Sequence, residues 1–225
     1  MKIAKNLIIA FLLLSSISTF ARNKKVVITV SEQSAIIYAN GKEMGAGSAI
    51  VIVPAYGELT VEVKKVGFLT AKHIFYNMPN QPKPPKSYHF ILEKDDAYEA
   101  SLKNDQANVN FSIVVNEKLS VTEAWKLTTQ IVTDYFDAIE VSDKETSYLR
   151  TSWNIHTFQQ NTIRTRFIIK LGDSDPLTFK IKLVSEYSGK SGTSVKADEK
   201  FKEWDRVLRK YKNIITDFSN RLSSK

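Results

Sequence analysis

Six short runs rich in Val, Ile, Thr, Tyr and Phe fill residues 25 to 92: KVVITV, SAIIYA, SAIVIV, GELTVEV, LTAKHIFY and SYHFIL. Each is bounded by Gly, Pro, Asn or charged residues, and no window between Lys25 and Leu92 carries the apolar period of a helix. Residues of this kind fit a pleated, half-buried surface, so the segment predicts a small all-β sandwich. Asn40-Gly41 separates two of the runs and is the dipeptide preferred in a tight hairpin, where both central residues need positive φ. Gly45 and Gly47 then let the chain change direction into the next strand, and Pro54 to Gly57 marks a further turn. NMPNQPKPPK, residues 77 to 86, cannot be a central strand, because proline removes a ladder donor; it reads as a stiff exposed loop.

After Leu92 the texture changes. EKDDAYEASLKNDQAN is polar and charged, and residues 95 to 107 are expected to be a linker between a first domain over 22–94 and a second over 108–225. The second domain opens with strand NVNFSIVV. Ser120-Val-Thr-Glu123 then supplies a capping box, and Val121, Ala124, Trp125, Thr128, Ile131, Val132, Tyr135 and Phe136 recur at helical spacing behind it. Three strands follow, SYLRTSWNIHTF, IRTRFIIKL and LTFKIKLVSEY. In them Leu149, Thr151, Trp153 and Ile155, then Phe167, Ile169 and Leu171, then Phe179, Ile181 and Leu183 mark the expected core face. A Gly-Ser loop, SGKSGTS, leads to an apolar stripe of Phe201, Trp204, Leu208, Tyr211, Ile215, Phe218 and Leu222, which predicts one long closing helix. The domain thus reads as α+β, in the order β-α-β-β-β-α, with two helices on one face of an antiparallel sheet.

The first 21 residues have Lys2 and Lys5 ahead of an apolar run from Leu7 to Leu14, then small and polar residues up to Ala21, the pattern of a secretory signal peptide. The run is shorter than the about 20 residues a membrane-spanning helix needs, and no second such run follows, so no transmembrane segment is expected. The chain contains no cysteine, which excludes a lipid anchor at the cleavage point, disulfides, thiolate metal sites and thiol nucleophiles. Without Lys2 and Lys5, 30 basic residues stand against 24 acidic ones, a net +6. For an exported chain, anionic glycans and lipid headgroups are nearer partners than nucleic acid, though a well-solvated surface accounts for the charge equally.

Motifs that resemble catalytic or cofactor sites have plainer readings. A phosphate-binding glycine loop needs a helix N-terminus after it, whereas the strand SAIVIVP follows Gly47. Gly189-Lys190-Ser191 ends like a Walker A loop, but Val184 stands where its first glycine belongs. Gly172-Asp173-Ser174 resembles the nucleophile block of SGNH-type esterases, yet no histidine follows it, and Asp173 with Asp175 falls short of the oxygen ligands calcium needs. His73, His89 and His156 show no metal-ligand spacing. No catalytic residue, cofactor or metal is assigned.

One constellation remains. Arg150, His156, Arg164, Arg166, Lys170, Lys180 and Lys182 are placed by strand alternation on the non-core face of the three consecutive strands. The face reads either as a docking platform for an acidic partner or as a solvated surface whose lysines oppose aggregation; Glu186 would neutralise part of it.

The first domain resembles the PEGA family over VVITVSEQSAIIYANGKEMGAGSAIVIVPAYGELTVEVKKVGF, carried by Gly41, Lys42, Gly45, Gly57, Lys65, Gly67 and Phe68. It departs from the family at Gln33-Ser34 and Ala46-Gly47. The resemblance implies an immunoglobulin-like or transthyretin-like sandwich serving as an accessory or binding module in cell-envelope proteins. More faintly, the second domain resembles the helix-grip domains of BamC lipoproteins through Ala124-Trp125, Tyr148-Leu-Arg150-Thr-x-Trp153, Arg164-Thr-Arg166 and the closing amphipathic stretch. Those proteins carry an anchoring cysteine and two such domains. The combined expectation is a non-enzymatic exported protein, periplasmic or cell-surface associated in a Gram-negative bacterium, that docks on an envelope protein or on anionic glycan or lipid headgroups. The alternative is a carbohydrate- or peptidoglycan-binding module in which Tyr38, Tyr56, Tyr76 and Tyr88 stack on sugar.

Overall fold

The computed structural model describes residues 22–223, so the signal-peptide reading of residues 1–21 lies outside the described residues. The chain divides into two compact units, Met1–Glu93 and Lys94–Lys225, and is β-rich throughout.

In the first unit the strands are β1 (Lys24–Val30), β2 (Ile36–Ala39), β3 (Lys42–Ala46), β4 (Ser48–Val53), β5 (Glu58–Lys64), β6 (Ala71–Tyr76) and β7 (Ser87–Phe90). They form a three-stranded sheet, β4-β1-β7, and a four-stranded sheet, β3-β2-β5-β6. Alternate residues of both sheets, among them Val26, Ile28, Val51, Ile37, Val61, Val63 and Phe75, bury into one shared core. Asn40 and Gly41 have φ of 47° and 80° and close the β2–β3 hairpin, the conformation that disfavours side chains with branched Cβ atoms. At Gly47, φ is 70° and a Cβ would stand 2.6 Å from the Gln33 carbonyl oxygen, so only glycine fits where β3 passes into β4. The glycine-rich stretch therefore turns the chain.

The second unit begins earlier than the composition indicates. Residues 95–107, expected to be a linker, contain helix α1 (Asp96–Glu99) and strand β8 (Ser101–Lys103). The Asp95 carboxylate accepts from the Ala97 and Tyr98 amides and caps α1. Strand β8 was not legible as a strand because its pairing partner, residues Arg206–Leu208, lies about a hundred residues downstream. After β9 (Asn110–Val114) comes α2 (Val121–Tyr135), whose capping box is complete: the Glu123 amide donates to Ser120 Oγ, and the Ser120 amide donates to the Glu123 carboxylate at 2.9 Å.

The sheet that follows comprises β10 (Ile139–Asp143), β11 (Tyr148–Thr151), β12 (Asn154–Thr157), β13 (Thr162–Ser174), β14 (Leu177–Tyr187) and β15 (Lys202–Glu203). Its central pair is β13–β14; β11 and β12 follow one another along the outer side of β13, while β9 and β15 share the outer side of β14. One face carries Leu149, Ile163, Phe167, Ile169, Phe179, Ile181 and Leu183 into a core with α2 and the last helix.

That closing segment is not one long helix. Past a 3-10 turn at Asp198–Lys200 it forms β15, then β16 (Arg206–Leu208), which pairs with β8, then a second 3-10 turn at Arg209–Tyr211; only α3 (Ile214–Ser223) is α-helical. Spacings of three and four place apolar residues equally well in this broken path, because strand pairing with β8 outweighs the local period. Asn108, at φ 62°, fastens the bend: its side chain donates to the Ser185 and Trp204 carbonyls and accepts from the Ser185 amide.

Candidate functional site

The expected single strand SYLRTSWNIHTF is two strands. Leu149 pairs with Ile169 and Arg150 with Ile168, but Asn154 pairs with Thr165 and Ile155 with Arg164, so one extra residue lies at Ser152-Trp153. A bulge of one residue exchanges the faces of everything beyond it. Arg150 remains on the face away from the helices. His156 instead lies opposite core residue Ile163, on the helix side, and leaves the predicted constellation. There its Nε2 is buried without a hydrogen-bond partner, and burial, with Lys210 nearby, holds its pKa below the usual histidine range. Conversely, Trp153 and Ile155, expected in the core, turn onto the polar face. Apolar-polar alternation alone carries no mark of where the extra residue falls.

Trp153 reorganises that face. The Arg164 guanidinium carbon lies 4.2 Å from the Trp153 ring centre and 4.1 Å from that of Phe201, and the Arg166 guanidinium carbon lies 4.1 Å from Trp153. Arg164 and Arg166 are two residues apart on one strand face, about 6.6 Å, so the indole stands between them. The result is a stack in the order Phe201, Arg164, Trp153, Arg166. Arg164 is only 4 % exposed; it donates to Glu186 at 2.6 Å, to Asp198 at 2.5 Å and to the Val195 carbonyl at 2.8 Å. Arg164 is therefore a fastening for residues 188–201, which cross this end of the face, and it is saturated by its own chain. Glu186 was legible as a neutralising carboxylate. Asp198, Phe201 and Glu140 were not, because loop closure and the partnering of β10 bring them in.

Beyond Trp153 the face is open. Arg150 donates to Glu140 at 3.0 Å, yet its Nε is buried without a partner. Arg166 forms no ion pair with any described carboxylate, its Nε is likewise buried and unpartnered, and burial with Arg150 beside it lowers its pKa. Lys170 lies directly opposite Lys180, with Lys182 two residues along β14, opposite Ile168. None of the three lysines pairs with a described carboxylate. Thus six of the seven predicted residues share the face, in two groups: Arg164 sealed under the loop, and Arg150, Arg166, Lys170, Lys180 and Lys182 accessible.

The other motifs resolve as turns. Lys190 presents its carbonyl, which accepts from the hydroxyls of Thr162, Ser188 and Thr193, where a phosphate loop would present amides. Asp173 accepts from the Asp175 amide in the β13–β14 connection. Of the tyrosines considered for sugar stacking, Tyr88 is itself stacked on His73 at 4.4 Å, and Lys64 lies over Tyr38 at 5.2 Å. Among the described residues no three His, Asp or Glu side chains are grouped to hold a metal, and no helix is long and apolar enough to cross a membrane. Compared with known proteins, the chain matches no family model, no curated protein and no solved structure.

Proposed function

We propose that the protein is a non-enzymatic exported docking module of the cell envelope, and that the open sheet face of its second unit binds an acidic partner protein. The observation that carries this reading is the direct opposition of Lys170 and Lys180, with Lys182 beside them and no described carboxylate paired to any of the three. Like charges directly opposite on adjacent strands oppose folding, and a face shaped only for solubility would intersperse both signs. A partner's carboxylates relieve that repulsion. The PEGA-like first unit and the helix-grip-like reading of the second are consistent with an accessory role at the envelope, and residues 1–21 supply the export signal in this reading. A photo-cross-linking residue at Ser112, which neighbours Lys180 across the β9–β14 pair, tests it in intact cells. The expected result is one dominant adduct with an acidic envelope protein, lost when Lys170, Lys180 and Lys182 are changed together to Glu. An adduct unaffected by that reversal, in a variant with an unchanged melting curve, removes the reading.

A further inference from the structure

The docking face has a chemically distinct end. Arg166 is partly buried, holds one flank against the Trp153 ring and has Arg150 as its neighbour, while both guanidiniums keep a buried Nε without a hydrogen-bond partner. The buried Nε is out of a ligand's reach, but the Trp153 contact at 4.1 Å restrains the guanidinium, leaving its two terminal NH2 groups to present a fork. A flat fork of this kind recognises a planar carboxylate through two parallel hydrogen bonds.

Two features of the surroundings select the ligand. Around Trp153 the charges balance in number but not in pairing: Glu140 pairs with Arg150, Glu186 and Asp198 both pair with Arg164, and Arg166 has no described carboxylate. The spot has donors to fill but little excess charge, which favours a singly charged carboxylate over a dianionic phosphate. Along β13 the polar-face positions are Arg166, Ile168 and Lys170, with Arg150 and Lys182 flanking Ile168 and Lys180 opposite Lys170. These rows repeat every two residues, about 6.6 Å, which is also the side-chain repeat of an extended peptide lying along the strand.

Resting on the docking reading above, we propose that Arg166, supported by Arg150, anchors one carboxylate of an extended acidic segment of the partner. Further carboxylates two and four residues along that segment then reach Lys182 and the Lys170–Lys180 pair. Three cationic rows at strand spacing read three alternate acidic residues. Trp153 is the positioning residue, holding the Arg166 fork in its plane.

The test uses the full chain and two fluorescent heptapeptides of equal charge, Thr-Glu-Thr-Glu-Thr-Glu-Thr and Thr-Thr-Glu-Glu-Glu-Thr-Thr, with binding followed by anisotropy at low salt. The alternating peptide is expected to bind several-fold tighter. Arg166→Lys keeps the charge but removes the fork, and is expected to weaken that peptide about tenfold and erase the preference. Arg166→Gln should do the same, with circular dichroism confirming that both variants are folded. If the two Arg166 variants bind like the wild type while the Lys170, Lys180, Lys182 triple reversal abolishes binding, the carboxylate anchor is overturned and the docking face stands. If the wild type binds neither peptide but is retained on phosphatidylglycerol vesicles or a sulfated polysaccharide, the acidic-peptide proposal fails. If it binds none of these probes and the cross-link at Ser112 survives charge reversal, the docking reading falls with it.

Discussion

Arg164 and Arg166 are separated by a single residue, Thr165, yet they have opposite fates. Arg164 lies beneath Phe201 and between two carboxylates, whereas Arg166 lies half-buried on the far side of the same indole with no described carboxylate paired to it. Removing Arg164 strands the mostly buried Glu186 while the exposed Asp198 stays hydrated, so Arg164→Met is expected to cost about 2 kcal/mol in urea denaturation and to expose residues 188–201 to limited proteolysis. Its reversal therefore tests the fold and not the docking, which is why the lysines carry the functional experiment. Lys180→Glu has the opposite signature. Replacing a like-charge opposition by an opposite-charge pair with Lys170 is expected to raise stability by about 0.5 kcal/mol while abolishing partner capture. A variant that gains stability and keeps its partner contradicts the role of the lysine pair.

At the scale of elements, α2 was the most legible part of the chain. Ser120 and Glu123 lie three residues apart before an amphipathic run, and both cap bonds are local, so sequence spacing determines them. Ser120→Ala is expected to cost about 1 kcal/mol, read from the urea midpoint. The hydroxyl of Ser120, then its amide, hold the Glu123 carboxyl below the ordinary value of 4.5. A lowered folded-state pKa gives stability that is complete above the ordinary value and fades as pH falls through the lowered one. The difference between wild type and Ser120→Ala should accordingly narrow in acid below pH 4.5 and remain constant above it. The closing segment was the least legible. Its stripe from Phe201 to Leu222 satisfies a helical period, but β16 pairs with β8, Trp204 is tied to Ser185, and Phe201 crosses to the other face over Arg164. Each of these partners is remote in sequence, and no local window contains the information.

For the whole molecule, the division falls at Glu93–Lys94, and residues 95–107 belong to the second unit. A fragment covering residues 94–225 is expected to give a dispersed amide NMR spectrum and a cooperative melt. One covering 108–225 loses α1 and the β8–β16 pair, leaves Arg206 without its acceptors at Tyr98 and Ser101, and is expected to melt earlier and less cooperatively. Equal behaviour of the two fragments would return the segment to the status of a linker. The amino-acid order by itself determined the turns, the alternating strands, the capping box and the basic character of one sheet face, since these depend on neighbours within a few residues. Tertiary structure decided the rest: which side His156 and Trp153 occupy, because a single bulged residue inverts alternation, and which arginine is sealed, because the loop that covers Arg164 is fixed only when residues 188–201 close over it.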